Sequence, residues 1–204
     1  METNMKFTMP LAVYAVAFAL VACSDDGDGG TNGFNFSNND ADSYSTSDDG
    51  SIPLNPSSIL PGSDKGTVEY EKEYLCPIEG YDATAKSSCK IYSDGNSVSL
   101  VFNVFGSHDG ESLNVVMSSI ADLDKLVMDM GIVADAVGGS DIKNYSKEMV
   151  SDLCSEYKQA LGAQGSADCD GDKAYIRAPL RNGLVRSDLI ESWKDLCQQG
   201  CNIF

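Results

Sequence analysis

Seven cysteines occur along the 204 residues, and six of them, Cys76, Cys89, Cys154, Cys169, Cys197 and Cys201, lie beyond residue 66. Six cysteines crowded into one foldable stretch predict a domain held by up to three disulfides, whose connectivity the sequence leaves open. A metal site is the rival use, prompted by Cys197-x-x-x-Cys201. It is disfavoured because the chain has no Cys-x-x-Cys pair and a single histidine, His108. The seventh cysteine, Cys23, stands alone far upstream. An odd count fits an oxidised domain badly unless that residue has another task.

The charge balance narrows the partners. With 31 acidic against 14 basic residues, the formal net charge is −17. Nucleic acid repels such a chain, so binding by phosphate neutralisation is excluded, and docking on anionic lipid through a basic patch is disfavoured. The hydrophobic share of 42% suffices to bury a core, and the length allows one domain with appendages.

Residues 1–22 have the build of an export signal. Lys6 precedes residues 7–22, FTMPLAVYAVAFALVA, which carry no charge. The run is shorter than the ~20 residues a spanning helix needs, and Pro10 near its start disfavours such a helix. It ends in Leu20-Val21-Ala22-Cys23, which resembles the lipobox of bacterial lipoproteins, a hydrophobic residue and two small ones before cysteine. The resemblance covers only this N-terminal segment. It implies cleavage after Ala22, diacylglycerol on the Cys23 thiol and a further acyl chain on its amine. Several acyl chains together give durable anchoring, here in an outer membrane. Glu2 is unusual in such a leader, and translation from Met5 would give the more typical opening Met5-Lys6-Phe7. With Cys23 acylated, the remaining cysteines form an even set.

Residues 23–66 hold eight aspartates, one lysine and many Gly, Ser and Asn. That composition cannot bury enough apolar area to offset the entropy of ordering, so a disordered tether is expected. As a flexible coil its 44 residues span roughly 35–40 Å. Its first part, Ser24-Asp25-Asp26-Gly27-Asp28, resembles the acidic export signal that follows the lipidated cysteine in surface lipoproteins of some Gram-negative lineages. The resemblance implies display on the cell exterior; the same aspartates also read as a solvating spacer.

The folded domain is expected at residues 67–204, strands first and helices after. Val68–Leu75 alternates, with Glu69, Glu71 and Glu73 on one side and Val68, Tyr70 and Tyr74 on the other, as in a charged edge strand. Lys90–Ser93 meets Asp94-Gly95-Asn96, a hairpin turn signal, before Val98–Phe105, which reads as the central strand. Residues 106–110 turn again, and Leu113, Val115 and Met117 continue the alternation. Ile120, Leu123, Val127, Met130, Ala134 and Val137 recur at steps of three and four, predicting a helix capped by Ser119 and ended by Gly138-Gly139. A second helix runs from Ser140 or Asp141 through Tyr145, Met149, Leu153 and Tyr157 to Gly162. Lys173–Arg177 reads as a strand stopped by Pro179, and Ser187 caps a short last helix through Leu189, Ile190, Trp193 and Leu196 to Gly200. These elements predict an α+β fold, with a small antiparallel sheet of four to five strands packed against two long helices and a short C-terminal helix.

Among disulfide pairings, Cys76–Cys89 is favoured because both ends flank adjacent strands; it would close a loop worth roughly 3 kcal/mol. The others read as Cys154–Cys197 with Cys169–Cys201, or as the local pairs Cys154–Cys169 and Cys197–Cys201.

Candidate chemistry is sparse. Ser107-His108-Asp109 has the letters of a hydrolase triad, but sequential neighbours cannot form the relay. Asp168, Asp170 and Asp172 alternate before Gly171 as in calcium loops, yet the twelfth position, where a bidentate Glu belongs, is Pro179. A structural turn is therefore preferred. Tyr70, Tyr74 and Trp193 could stack on sugars or simply pack. No glycine-rich phosphate loop or metalloprotease helix occurs, and no cofactor is implied. The expected function is that of a surface-exposed lipoprotein whose non-catalytic domain binds a glycan, protein or envelope component. The alternative is a small extracellular hydrolase working with two carboxylates.

Overall fold

The computed structural model describes residues 56–77 and 84–199. The leader, Cys23, the acidic segment Ser24, Asp25, Asp26 and Asp28, and Cys201 lie outside the described residues. A four-residue helix α1 (Pro56–Ile59) leads to β1 (Thr67–Pro77), β2 (Thr84–Asp94), β3 (Ser97–His108), β4 (Glu111–Asp122) and β5 (Val127–Val137). Then follow α2 (Ser140–Leu161), β6 (Ser166–Asp170), β7 (Lys173–Pro179) and α3 (Arg186–Gln198). The strands make one seven-stranded antiparallel sheet, ordered β1-β2-β3-β4-β5-β7-β6. The first five form a meander. Helix α2 then carries the chain to the far edge, and β7 returns between β6 and β5.

Two expectations about this architecture are corrected. The sheet has seven strands rather than four to five, with β4 rather than β3 at its middle, and only α2 is long, at 22 residues against 13 for α3. The stretch expected as the first long helix is the end of β4, a turn and all of β5. Its apolar residues satisfy two periods at once. Met128, Met130, Ile132 and Ala134 alternate as a strand face, while Val127, Met130, Ala134 and Val137 fit a helical stripe. Gly131 and the β-branched Ile132 and Val133 favour the extended form. The turn between β4 and β5 contains neither Gly nor Pro, which hid it. Leu126 takes the left-handed conformation at φ 51°. Asp122 closes the turn by accepting bonds from the backbone N–H of Asp124 at 3.1 Å and Lys125 at 3.0 Å. Gly138-Gly139 ends this strand and opens α2, with Gly139 as N-cap and its N–H donated to Glu111 Oε1 at 3.1 Å.

The two faces of the sheet are covered differently. One carries Cys89 and Ile91 of β2, Val98, Leu100, Phe102 and Val104 of β3, Met128, Met130, Ile132 and Ala134 of β5, and Ala174 and Ile176 of β7. Helix α2 packs over β4 to β7 and α3 over β1 to β3. Their buried sides are Ile142, Val150, Leu153, Cys154, Tyr157 and Leu161 on α2 and Leu189, Ile190, Trp193, Leu196 and Cys197 on α3. Both helices begin where the sequence places them, although α3 has Val185 as its N-cap, and Ser187 bonds Asp188 instead.

The other face carries no long helix. Pro56–Gly66, expected as the end of the tether, crosses it as a strap. Ile59 packs on Val116 and Val133 in a separate small core. It lies so close to Gly131 that a Cβ there would come within 2.7 Å of Ile59 Cγ2. At the other end Gly66, at φ 103°, passes over the carbonyl of Ser93 with no room for a side chain.

This packing generates a test that separates strand from helix at residue 131. Gly131→Ala on a helix would stabilise by about 1 kcal/mol. In the sheet beneath Ile59 it should destabilise by about 1–3 kcal/mol through overpacking, and Ile59→Ala in the same chain should relieve that cost. Chemical denaturation of the two single variants and the double variant reads the sign.

Candidate functional site

Alternation along the strands places a polar, chequered surface on the helix-free face. Cross-strand register aligns Tyr92, Ser99, Ile120, Asp129 and Arg177 in one row; Lys90, Val101, Ser118, Gly131 and Tyr175 in the next; and Ser88, Asn103, Val116, Val133 and Lys173 in a third. A further row holds Lys86, Phe105, Asn114 and Asp135. Neighbours in such rows stand about 4.5–5.5 Å apart. At the centre, hydroxyl and carboxamide groups alternate with valines. Val116 and Ser118 are 0% exposed and Val101 5%.

Charge on this face is confined to its margins, and two of its cations are paired there. Lys90 pairs with Glu71 across β1 and β2. Arg177 donates Nε–H to Asp129 Oδ1 at 2.6 Å and Nη2–H to Oδ2 at 2.8 Å, a bidentate clamp across β5 and β7. Tyr175 is half-buried beside Gly131, and burial raises the pKa of its phenol.

The residues singled out from sequence mostly turn out to be scaffold. Ser107 and His108 are successive strand residues at the end of β3, pointing to opposite faces, and His108 Nε2 lies 3.3 Å from Asp109 Oδ2. No triad relay is built from the three. Asp168-Cys169-Asp170 is not a loop but strand β6, paired with β7 and turning at Gly171. Cys169 is committed to Cys154, and among the described residues no three His, Cys, Asp or Glu side chains gather as a metal site. Trp193 is a buried core residue. Tyr70 and Tyr74 pack against that core, and Tyr74 donates its hydroxyl to the Cys197 carbonyl at 2.8 Å. These three aromatics therefore pack, the plainer of the two readings.

The favoured disulfide is also corrected. Cys89 bonds Cys197, and Cys154 bonds Cys169 as in the local alternative, so Cys76–Cys89, Cys154–Cys197, Cys169–Cys201 and Cys197–Cys201 do not form. Cys89 lies on the helix side of β2, facing α3 rather than its neighbour strand. Cys76 is also disulfide-bonded, to a partner outside the described residues. The bonds clamp α3 to β2 and α2 to the edge strand β6. By loop entropy the 15-residue separation is worth about 3 kcal/mol, and the 108-residue one about 4.7 kcal/mol.

A polar network fastens the start of α3 to the sheet. Ser93 donates its hydroxyl to Glu69, and Arg186 Nη2 donates to both Glu69, at 2.9 Å, and Ser93. The Ser93 hydrogen bond first, then Arg186, lowers the Glu69 pKa. Asp122 is displaced downward as well, by Lys125. These displaced carboxylates are anions serving structure, not acids held protonated for proton transfer.

Sequence reasoning missed the strap and the helix-free surface. The signal for the surface was present, in the polar Ser99, Asn103, Asn114 and Ser118 interrupting otherwise apolar strands. Ile59 carried no such signal, being one apolar residue in a stretch rich in Ser, Pro and Gly. Comparison with known proteins finds no matching family model, curated protein or solved structure.

These contacts generate three tests. A carboxylate with a depressed folded pKa contributes stability above its unfolded pKa and loses it as pH falls through the folded value. Glu69→Gln should therefore flatten the fall in melting temperature between about pH 5 and pH 3, and an unchanged acid limb would show that the network contributes nothing. Removing Cys89–Cys197 by a double alanine substitution should cost about 2–5 kcal/mol in denaturant unfolding. Peptide mapping of the oxidised chain should recover Cys89–Cys197 and Cys154–Cys169 as linked pairs.

Proposed function

We propose that this chain is a lipid-anchored bacterial surface protein presenting a non-catalytic binding domain, with Cys23 as the acylated residue. The observation that carries the reading is cysteine arithmetic joined to the lipobox-like Leu20-Val21-Ala22-Cys23. Cys89, Cys154, Cys169 and Cys197 are consumed among themselves, and Cys76 takes one further partner. Only Cys23 and Cys201 remain for it. A thiol that carries diacylglycerol cannot bond Cys76, so acylation of Cys23 requires Cys76–Cys201. Among the described residues no helix is long and apolar enough to cross a membrane, and a lipid on Cys23 supplies the membrane attachment in this reading. The acidic residues Asp25, Asp26 and Asp28 serve as the signal for display on the exterior of the outer membrane.

The reading has two independent tests. Cys23→Ala should release the chain from the membrane fraction, and mapping of the wild-type chain should find Cys76 joined to Cys201. A Cys76–Cys23 link would sink the lipoprotein assignment outright. Replacing Asp25, Asp26 and Asp28 with alanine should protect the domain from protease added to intact cells. Undiminished cleavage would leave these aspartates as a spacer.

A further inference from the structure

We propose that the strap Pro56–Gly66 is a movable cover over a binding site for a neutral oligosaccharide, formed on the helix-free face by Ser99, Asn103, Asn114 and Ser118. The inference rests on the reading of the domain as a binding module and gives that module a place and a ligand class.

Unmet hydrogen-bonding capacity is found on the strap and on the face it crosses, besides Ser87 on the helix side. Ser118 Oγ and Asn103 Oδ1 on the sheet, and Ser63 Oγ on the strap, are shut off from solvent without a hydrogen-bond partner among the described residues. Ser63 and Ser118 are each 0% exposed. Buried polar atoms are nearly always paired, and leaving one unmade disfavours the state that buries it. Ile59 of the strap sits on Val116 and Val133, the neighbours of these groups, and a ligand that satisfies them competes with the strap.

The cover has a small apolar footprint. Its apolar anchor is Ile59, on Val116 and Val133 over Gly131. Two backbone bonds, Ser63 N–H to Leu60 O and Lys65 N–H to Gly62 O, fold the strap on itself, and Ser58 and Asp64 make further contacts. A segment with few apolar contacts opens at a small fraction of the free energy of global unfolding.

The surface beneath selects a neutral ligand. Its hydroxyls and carboxamides both donate and accept, as the hydroxyls of a sugar do. Val101 and Val116 between them offer methyl surface to the C–H faces of a sugar ring. Tyr92, Phe105 and Tyr175 stand in the same rows nearer the margins, half-exposed. The cations Lys90 and Arg177 are already engaged by Glu71 and Asp129, so an anionic ligand finds no unpaired counter-charge at the centre.

The test uses the full-length chain purified in detergent and probed on an array of neutral hexose and pentose oligosaccharides, with titration of the strongest one retained. A competing cover weakens apparent affinity by the fraction of time it is open. Ile59→Ala should therefore tighten binding at least tenfold over wild type, with near-ultraviolet circular dichroism confirming the fold. Should Ile59→Ala fail to fold, the milder Ile59→Val should still tighten binding several-fold. In the loosened background, Ser118→Ala and Asn103→Ala should each weaken binding about tenfold. Equal affinity of wild type and the Ile59 variants overturns the cover. Binding that survives both polar substitutions places the sugar elsewhere and overturns the site, while the binding-module reading stands. A folded Ile59 variant that retains no oligosaccharide overturns the site too, with the lipoprotein reading still decided separately by Cys23 fractionation.

Discussion

Strands β3, β4 and β5 are apolar on the helix side and carry valines among polar groups on the other, so both faces of the sheet hold apolar side chains that need cover. One cover is conventional: α2 over β4 to β7 and α3 over β1 to β3 bury the Met130, Ile132, Leu100 and Phe102 side of the sheet. The second is improvised from the residues that precede β1. Val116 and Val133 could not be left in water without cost, and at ~25 cal/mol per Å² even a few apolar side chains justify recruiting a short segment. Gly131 is the concession on the sheet side, a strand position emptied of its side chain so that Ile59 can descend.

The width of the sheet also creates two edges, which are handled by different means. β1 carries Glu69, Glu71, Lys72 and Glu73 and has a register irregularity between Val68 and Tyr70. Charge and a bulge both discourage a further strand from pairing there. β6 is short, bears Asp168 and Asp170, and is tied to α2 through Cys169. The acidic composition thus has a local purpose as well as a global one. Residues that look like calcium ligands in the sequence are, in the fold, guards of an open edge.

Much of the fold was legible where one period dominated. β1, β3, the Gly95 hairpin turn, α2 and α3 follow from alternation or from helical spacing with clear terminators. Val127–Val137 was not legible, because nearly continuous apolar residues satisfy both periods and the preceding turn is closed by the Asp122 side chain rather than by glycine. The pairing of Cys89 was hidden for a different reason. Proximity in sequence points to Cys76, but the alternation of β2 turns Cys89 toward the helices, and which helix lies there is a tertiary fact. The polar chequer of the helix-free face could be read from Ser99, Asn103, Asn114 and Ser118 once the strands were right, whereas a single anchoring isoleucine in a polar stretch gave no warning of the strap.

The Cys89–Cys197 bond joins the second strand to the last helix across 108 residues. In a chain delivered across a membrane N-terminus first, Cys89 arrives long before its partner. The sulfurs it meets earlier, those of Cys76, Cys154 and Cys169, are all wrong ones. A bond formed in order of arrival has to be undone by thiol–disulfide exchange before α3 can lock onto β2. A domain delivered in that way matures only where disulfides are shuffled as well as thiols oxidised. Helix α3, emerging long after β2, decides whether Cys89 is correctly joined.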